Sequence, residues 1–187
     1  MMIYISKGVA SKEGGENSAR VSRCGKEYHL SEEQAQLWQA GRFSIANANN
    51  NKKQSAVWGL ESMGLVEAAE PDETARYRLL TNCVICLSNQ PASGVTLDKN
   101  ERLAWKWLKN AGFKLTISEL VYLAEQNIRP DPSFFGKDNW HNLIHAIYTR
   151  ETIFDRILEA KMEESPARNR TVNAVLGLLR KKRIVFV

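Results

Sequence analysis

Cysteine and proline are scarce in this chain, and long apolar runs are missing. Three cysteines in 187 residues is an odd number, which does not build the disulfide framework of a small secreted fold. No stretch approaches the roughly 18 consecutive apolar residues that read as a membrane helix. The opening "MMIYISKGVASKEGG" holds too short an apolar segment for a secretory signal. These absences lead to the expectation of a cytoplasmic protein with no membrane partner. The phosphate-cradling Walker and GxGxxG loops, the GxSxG nucleophile elbow and any convincing carboxylate pair are also missing. The sequence therefore reads as a binding protein without a cofactor, not as an enzyme.

What is present is ordinary in amount and uneven in placement. Apolar residues make up 43% of the chain, enough for a core in one domain or two small ones. The net charge is +5, yet the last 23 residues carry +6 and the first 164 therefore sum to −1. The six are Arg168, Arg170, Arg180, Lys181, Lys182 and Arg183, with no acid among them. Concentrated positive charge is the footprint of a nucleic-acid contact. Basic side chains at a helix end also complement the helix dipole, so the charge admits a purely structural reading.

The chain also repeats itself. "NKKQSAVWGLESMGLV" (51–66) returns as "NRTVNAVLGLLRKKRIV" (169–185), at a shift of 118. Asn51, Ala56, Val57, Gly59 and Leu60 fall on Asn169, Ala174, Val175, Gly177 and Leu178. Internal similarity of this kind says that one supersecondary unit is used twice. Both copies read as a helix leading into a strand, with Gly59 and Gly177 expected to permit close approach of a neighbour.

Periodicity and caps order the rest. Residues 1–6 favour a strand, and 7–26 read as a loop or arm. Ser31 caps a helix over "LSEEQAQLWQAG", with Gly41 just past its end. Asn50 or Asn51 caps the next, whose inner stripe is Ala56, Val57, Leu60 and Met63, with Gly64 as its stop. "LVEAA" and "RYRLLTNCVICL" read as two β runs around the turn "EPDET". Residues 88–97 read as a linker. Beyond it come Asp98 with Glu101 and Thr116 with Glu119 as capping boxes, then Asp138 and Ser165 as caps of later helices. "RIVFV" closes as a strand.

The order helix, connector, helix, hairpin over about sixty residues, with "QSAVWGLESMGLVE" followed by "RYRLL", resembles the winged-helix bacterial transcription regulators. The resemblance is of fold type. It implies a mostly α protein with small β-hairpins, an α+β fold, in which two winged-helix-like units are joined by a helical region. The domains are expected over 1–87, winged-helix-like, and over 98–187, helical and ending in the second such unit. It also implies helix insertion into the major groove of double-stranded DNA by a transcriptional regulator. The first surface expected to meet DNA is Asn50, Asn51, Lys52, Lys53, Gln54 and Ser55, backed by Arg76 and Arg78 on the return strand of the wing. The second is Arg168, Asn169, Arg170, Asn173, Arg180, Lys181, Lys182 and Arg183. Against the first stand Glu67, Glu70, Asp72 and Glu73 near the wing tip, which would repel phosphates.

The same scaffold serves assembly as well as DNA. A protein-interaction adaptor, or a homodimer, is thus the alternative function. A metal is not expected. "CVIC" has zinc-ligand spacing, and Cys24 and His29 would complete a set with Cys83 and Cys86, but buried free cysteines fit as well. His141 and His145 in "HNLIH" lack the glutamate of a metalloprotease helix. The aromatics Trp105, Trp107, Phe134, Phe135 and Trp140 would line a core or a ligand pocket.

Overall fold

The computed structural model describes residues 1–11, 20–88, 95–111, 115–136, 139–152 and 154–187. Among them it is an α+β fold, with eight α-helices and small antiparallel sheets. No helix among the described residues is long and apolar enough to cross a membrane.

The first strand, β1 (Met2–Ser6), is buried along its whole length. After β2 (Val9–Ala10), β3 (Arg20–Arg23) and β4 (Lys26–His29) come α1 (Glu32–Gly41), β5 (Ala46–Ala48), α2 (Asn51–Ser62) and β6 (Val66–Ala69). β1 is the centre of a three-stranded sheet in the order β5-β1-β6, with Ile3 opposite both Asn47 and Ala69. β2, β3 and β4 form a second small sheet. The segment read as an arm over 7–26 therefore contains strand on both sides of residues 12–19, which lie outside the described residues.

α3 (Ala75–Thr81) corrects the expected hairpin. Tyr77 and Leu79 alternate with Arg76 and Arg78, which mimics a strand. The polar turn before them acts instead as a helix start. Asp72 accepts hydrogen bonds from the Thr74 backbone N–H at 2.8 Å and from its hydroxyl, and is ion-paired with Arg78 one turn further on. β7 (Ile85–Leu87) follows, but it pairs with β8 (Ile184–Phe186) at the far end of the chain and not with β6. Local sequence carries no trace of that long-range pairing.

The remaining elements are α4 (Lys99–Asn110), α5 (Ile117–Glu125), a 3₁₀ turn (Pro132–Phe134), α6 (Trp140–Ile147), α7 (Asp155–Glu163) and α8 (Arg168–Arg180). Capping boxes form at Ser31 with Gln34, Asp98 with Glu101 and Thr116 with Glu119, and Asn50 caps α2. Of the expected caps, Asp138 lies outside the described residues, as do 89–94 of the expected linker. Ser165 sits two residues ahead of the assigned cap, Ala167, and accepts from its backbone N–H at 3.0 Å. Gly41 is not beyond α1 but its last residue, and a Cβ there would strike Tyr4 and Ser6 of β1.

Two apolar cores result. The smaller joins Met2 and Tyr4 to Trp38, Val57 and Leu60. The larger joins Ile3 and Ile5 to α3, α4, α5 and α8. The repeated helices α2 and α8 end in the same way. Gly64 N–H donates to Glu61 O and Leu65 N–H to Leu60 O, at 2.8 and 2.9 Å; Lys182 to Leu179 and Arg183 to Leu178 repeat this at the same distances. Each pair is a Schellman corner around a left-handed residue, Gly64 at φ +72° and Lys182 at φ +55°. The shift of 118 thus marks a shared turn into a strand.

The two repeated glycines differ. A Cβ on Gly177 would fall on the buried carboxylate of Glu101, whereas one on Gly59 would meet only Gln34 Nε2, at 3.8 Å. Close approach is needed at Gly177 alone. Gly59→Ala should therefore stabilise the protein by up to about 1 kcal/mol through helix propensity. Gly177→Ala should cost roughly 1–3 kcal/mol through overpacking. Urea midpoints of the two variants, read with a common slope, check both signs.

Candidate functional site

α2 stands on α1 and the β5-β1-β6 sheet with one face inward. Val57 and Leu60 are fully buried there. Its other face reads Asn51, Ser55, Trp58, Ser62, at i, i+4, i+7 and i+11, and all four are exposed. Trp58 has 54% of its surface open to solvent, which is unusual for so large an apolar side chain. The inner stripe of the sequence did not include it. Its place opposite that stripe, between Ser55 and Ser62, was the signal.

The polar residues expected to meet DNA at this helix are distributed as follows. Asn50 is spent on the cap, accepting from Lys53 N–H at 2.9 Å. Gln54 Nε2 donates to Ala48 O at 3.2 Å. Lys52 lies 3.2 Å from Glu33 of α1, both well exposed. Asn51, Lys53 and Ser55 are exposed. Arg76 and Arg78 lie on α3 and not on a wing strand. Arg78 is shared between Asp72 and Glu163, and its guanidinium draws the Asp72 carboxyl down to about 2. Arg76 reaches Asn173 of α8 at 3.5 Å.

α8 has a different fate from α2. It packs against α3, α4 and α5, and nine of its thirteen residues are buried. Arg168, only 8% exposed, binds the Glu163 carbonyl, lies 3.1 Å from Asn169 Oδ1 and pairs with Glu73 at 3.5 Å. Lys181 is ion-paired with buried Glu101 and donates to Thr96 O at 2.9 Å. Arg183 lies over the Trp105 ring at 5.6 Å, and Lys182, itself exposed, over Phe43 at 5.2 Å. Asn169, Arg170, Asn173 and Arg180 are the exposed residues of this helix. Much of the C-terminal charge run therefore serves internal pairing.

The remaining chemistry-bearing residues do not converge. Cys83 is buried and its Sγ donates to Leu79 O at 3.1 Å, while Cys24 is exposed at the β3–β4 turn. Among the described residues no three His, Cys, Asp or Glu side chains gather as metal ligands. His141 and His145 are exposed on α6, with His141 against Trp140 at 4.3 Å between rings. Trp107 packs against Phe134 and Phe135, each at 5.7 Å.

One acid cluster, around the buried Glu119, was not legible in the sequence. Tyr148 Oη lies 3.0 Å from Glu119 Oε1 and 2.6 Å from Asp155 Oδ1. A phenol has one proton to donate and two carboxyl neighbours. Burial, and then the nearby Asp155 charge, push the Glu119 carboxyl above its ordinary range, so the neutral form is favoured. A carboxyl raised in the folded state contributes stability that is whole below its unfolded value, about 4.3. That contribution is lost as pH rises through the folded value. The wild type should thus gain stability relative to Glu119→Gln as pH falls from 7 towards 4, in urea titrations at each pH. A gap that is flat or opposite in slope would contradict it. Burial also pushes the Cys83 thiol up to about 12. Iodoacetamide at pH 8 should therefore alkylate Cys24 in the native protein and leave Cys83 intact until denaturant is added, as peptide mass spectrometry would show.

No protein-family model, no curated protein and no solved structure matches the chain at a significant level.

Proposed function

We propose that the protein is a non-enzymatic interaction adaptor whose contact surface is the outward face of α2, with Trp58 as the anchor. The observation that carries this reading is the exposed Trp58, 54% open, at the centre of a face otherwise made of small polar side chains. Tryptophan is enriched among residues that dominate protein–protein binding energy, set within a ring of near-neutral contacts. The surrounding charge agrees. Glu33, in the first turn of α1, lies 3.2 Å from Lys52, which offsets part of the positive charge that would attract a phosphate backbone. α2 packs on α1, β5 and β6, which support this face from behind.

Duplex DNA is the second reading, favoured by a specific group. Asn51, Lys53 and Ser55 are exposed at the N-terminal end of α2, a polar helix start suited to phosphate and base edges. On that reading the chain is a winged-helix-like transcriptional regulator, with Arg180 and Lys182 as distant phosphate contacts.

One paired experiment separates the two. A photo-crosslinking amino acid at position 58, compared with one at Glu164 on the exposed end of α7, should yield a discrete protein adduct in cells from the first position alone. Anisotropy of a generic duplex should show no binding that depends on Lys53. Salt-sensitive duplex binding that Lys53→Ala weakens and Trp58→Ala leaves intact would overturn the adaptor and establish the DNA reading.

A further inference from the structure

A cleft lies away from α2, where the N-terminal half of α8 meets α4 and the end of α5. Its volume is about 860 Å³, within the range of small-molecule sites. Its apolar lining is Leu103, Ala124 and Ile128, over Leu120, Leu123, Ala174 and Trp107, which are themselves buried. Leu103 is 37% exposed on its wall. Its rim is basic. Lys99, Arg102 and Lys106 come from one side of α4, at i, i+3 and i+7, Arg129 from the loop after α5, and Arg170 from the first turn of α8. All five are exposed, against a single acid on the rim, Asp131. Among the described residues none of the five forms a salt bridge; Arg102 donates to Leu97 O at 3.0 Å, and the Lys106 charge helps hold the Asp131 carboxyl low, after its hydrogen bonds from Ser133.

This arrangement does not serve stability. Like charges around one opening repel. Lys99, Arg102 and Arg170 also sit in the first turns of two helices, where the dipole disfavours positive charge. An anion in the cleft relieves both effects and accepts charge-assisted hydrogen bonds. The apolar lining would then cover a hydrocarbon or aromatic body.

We propose that this cleft binds a small organic anion, an oxyanion head on an apolar body, with Lys106, Arg129 and Arg170 at the head and Leu103 and Ala124 against the body. Duplex DNA fits less well, because its phosphates would meet the rim and leave the concave apolar lining uncovered.

The test uses two probes with nearly the same aromatic body. 1-Anilinonaphthalene-8-sulfonate carries an anion; N-phenyl-1-naphthylamine does not. The full chain should bind the sulfonate at one saturable site, and the neutral probe at least tenfold more weakly. Lys106→Gln with Arg170→Gln should weaken the sulfonate tenfold or more and leave the neutral probe unchanged. An unchanged thermal midpoint would show that the variant is folded; if it is not, Arg129→Gln alone replaces it. Dodecanoate or dodecyl phosphate should displace the sulfonate, and the better of the two identifies the head as carboxylate or phosphate. Equal binding of the two probes, or sulfonate binding indifferent to the charge changes, would overturn the site. So would failure of both dodecyl anions to compete, or displacement by a generic duplex at least as effective as theirs.

Discussion

The burial of β1 on both faces is the constraint from which the rest of the architecture follows. A strand sends alternate side chains to opposite sides. Here Ile3 and Ile5 enter the larger core and Met2 and Tyr4 the smaller, with no residue of the strand left for solvent. Tyr4 completes this by donating its hydroxyl to Leu37 O at 3.0 Å. The end of α1 must then lie directly on the strand, and Gly41 is what permits it. Trp38, hydrogen-bonded to Lys7 O at 2.9 Å, fixes the other side of the contact. With α1 pinned, α2 has one face to bury and one to present. Lys7, buried and ion-paired with Glu67, ties the end of β1 to β6.

The repeat gains a physical meaning from this frame. α2 into β6 and α8 into β8 are the same corner, made by the same two backbone hydrogen bonds around a left-handed residue. The corner conserves a way of ending a helix and entering a sheet. It does not conserve a surface. α2 lies at the margin of a small core and keeps an open face, whereas α8 lies among three helices. Similar sequence thus leaves an open face in one place and a buried frame in the other.

Features set by a residue and its near neighbours were legible in the sequence. Ser31, Asn50, Asp98 with Glu101, and Thr116 with Glu119 are caps because side chain and backbone lie within three residues of each other. The inward stripes of α2, α4, α5 and α8 follow from periodicity for the same reason. Residues 75–81 were not legible, because Tyr77 and Leu79 alternate with arginines as a strand would. Only the ties among Asp72, Thr74 and Arg78 mark the helix. The partner of β7 was out of reach, since β8 lies almost a hundred residues away. The C-terminal charge run was legible as charge but not as pairing. Glu101 and Glu73, which pair with Lys181 and Arg168, come from far earlier in the chain. The basic cleft stood half-visible: Lys99, Arg102 and Lys106 share a helix face, while Arg129 and Arg170 arrive only through the fold.

The two repeated helices have parted, α8 into the frame and α2 to an open surface. Native-state hydrogen exchange, resolved by residue, tests this parting most directly. The amides of Val172 to Leu179 should exchange only through global unfolding. Those along α2 should open at a lower free energy, with the turn bearing Ser55 and Trp58 faster than that bearing Leu60. Protection in α2 equal to or above that in α8 would contradict it, and would put the exposed tryptophan on a helix as deeply held as the core.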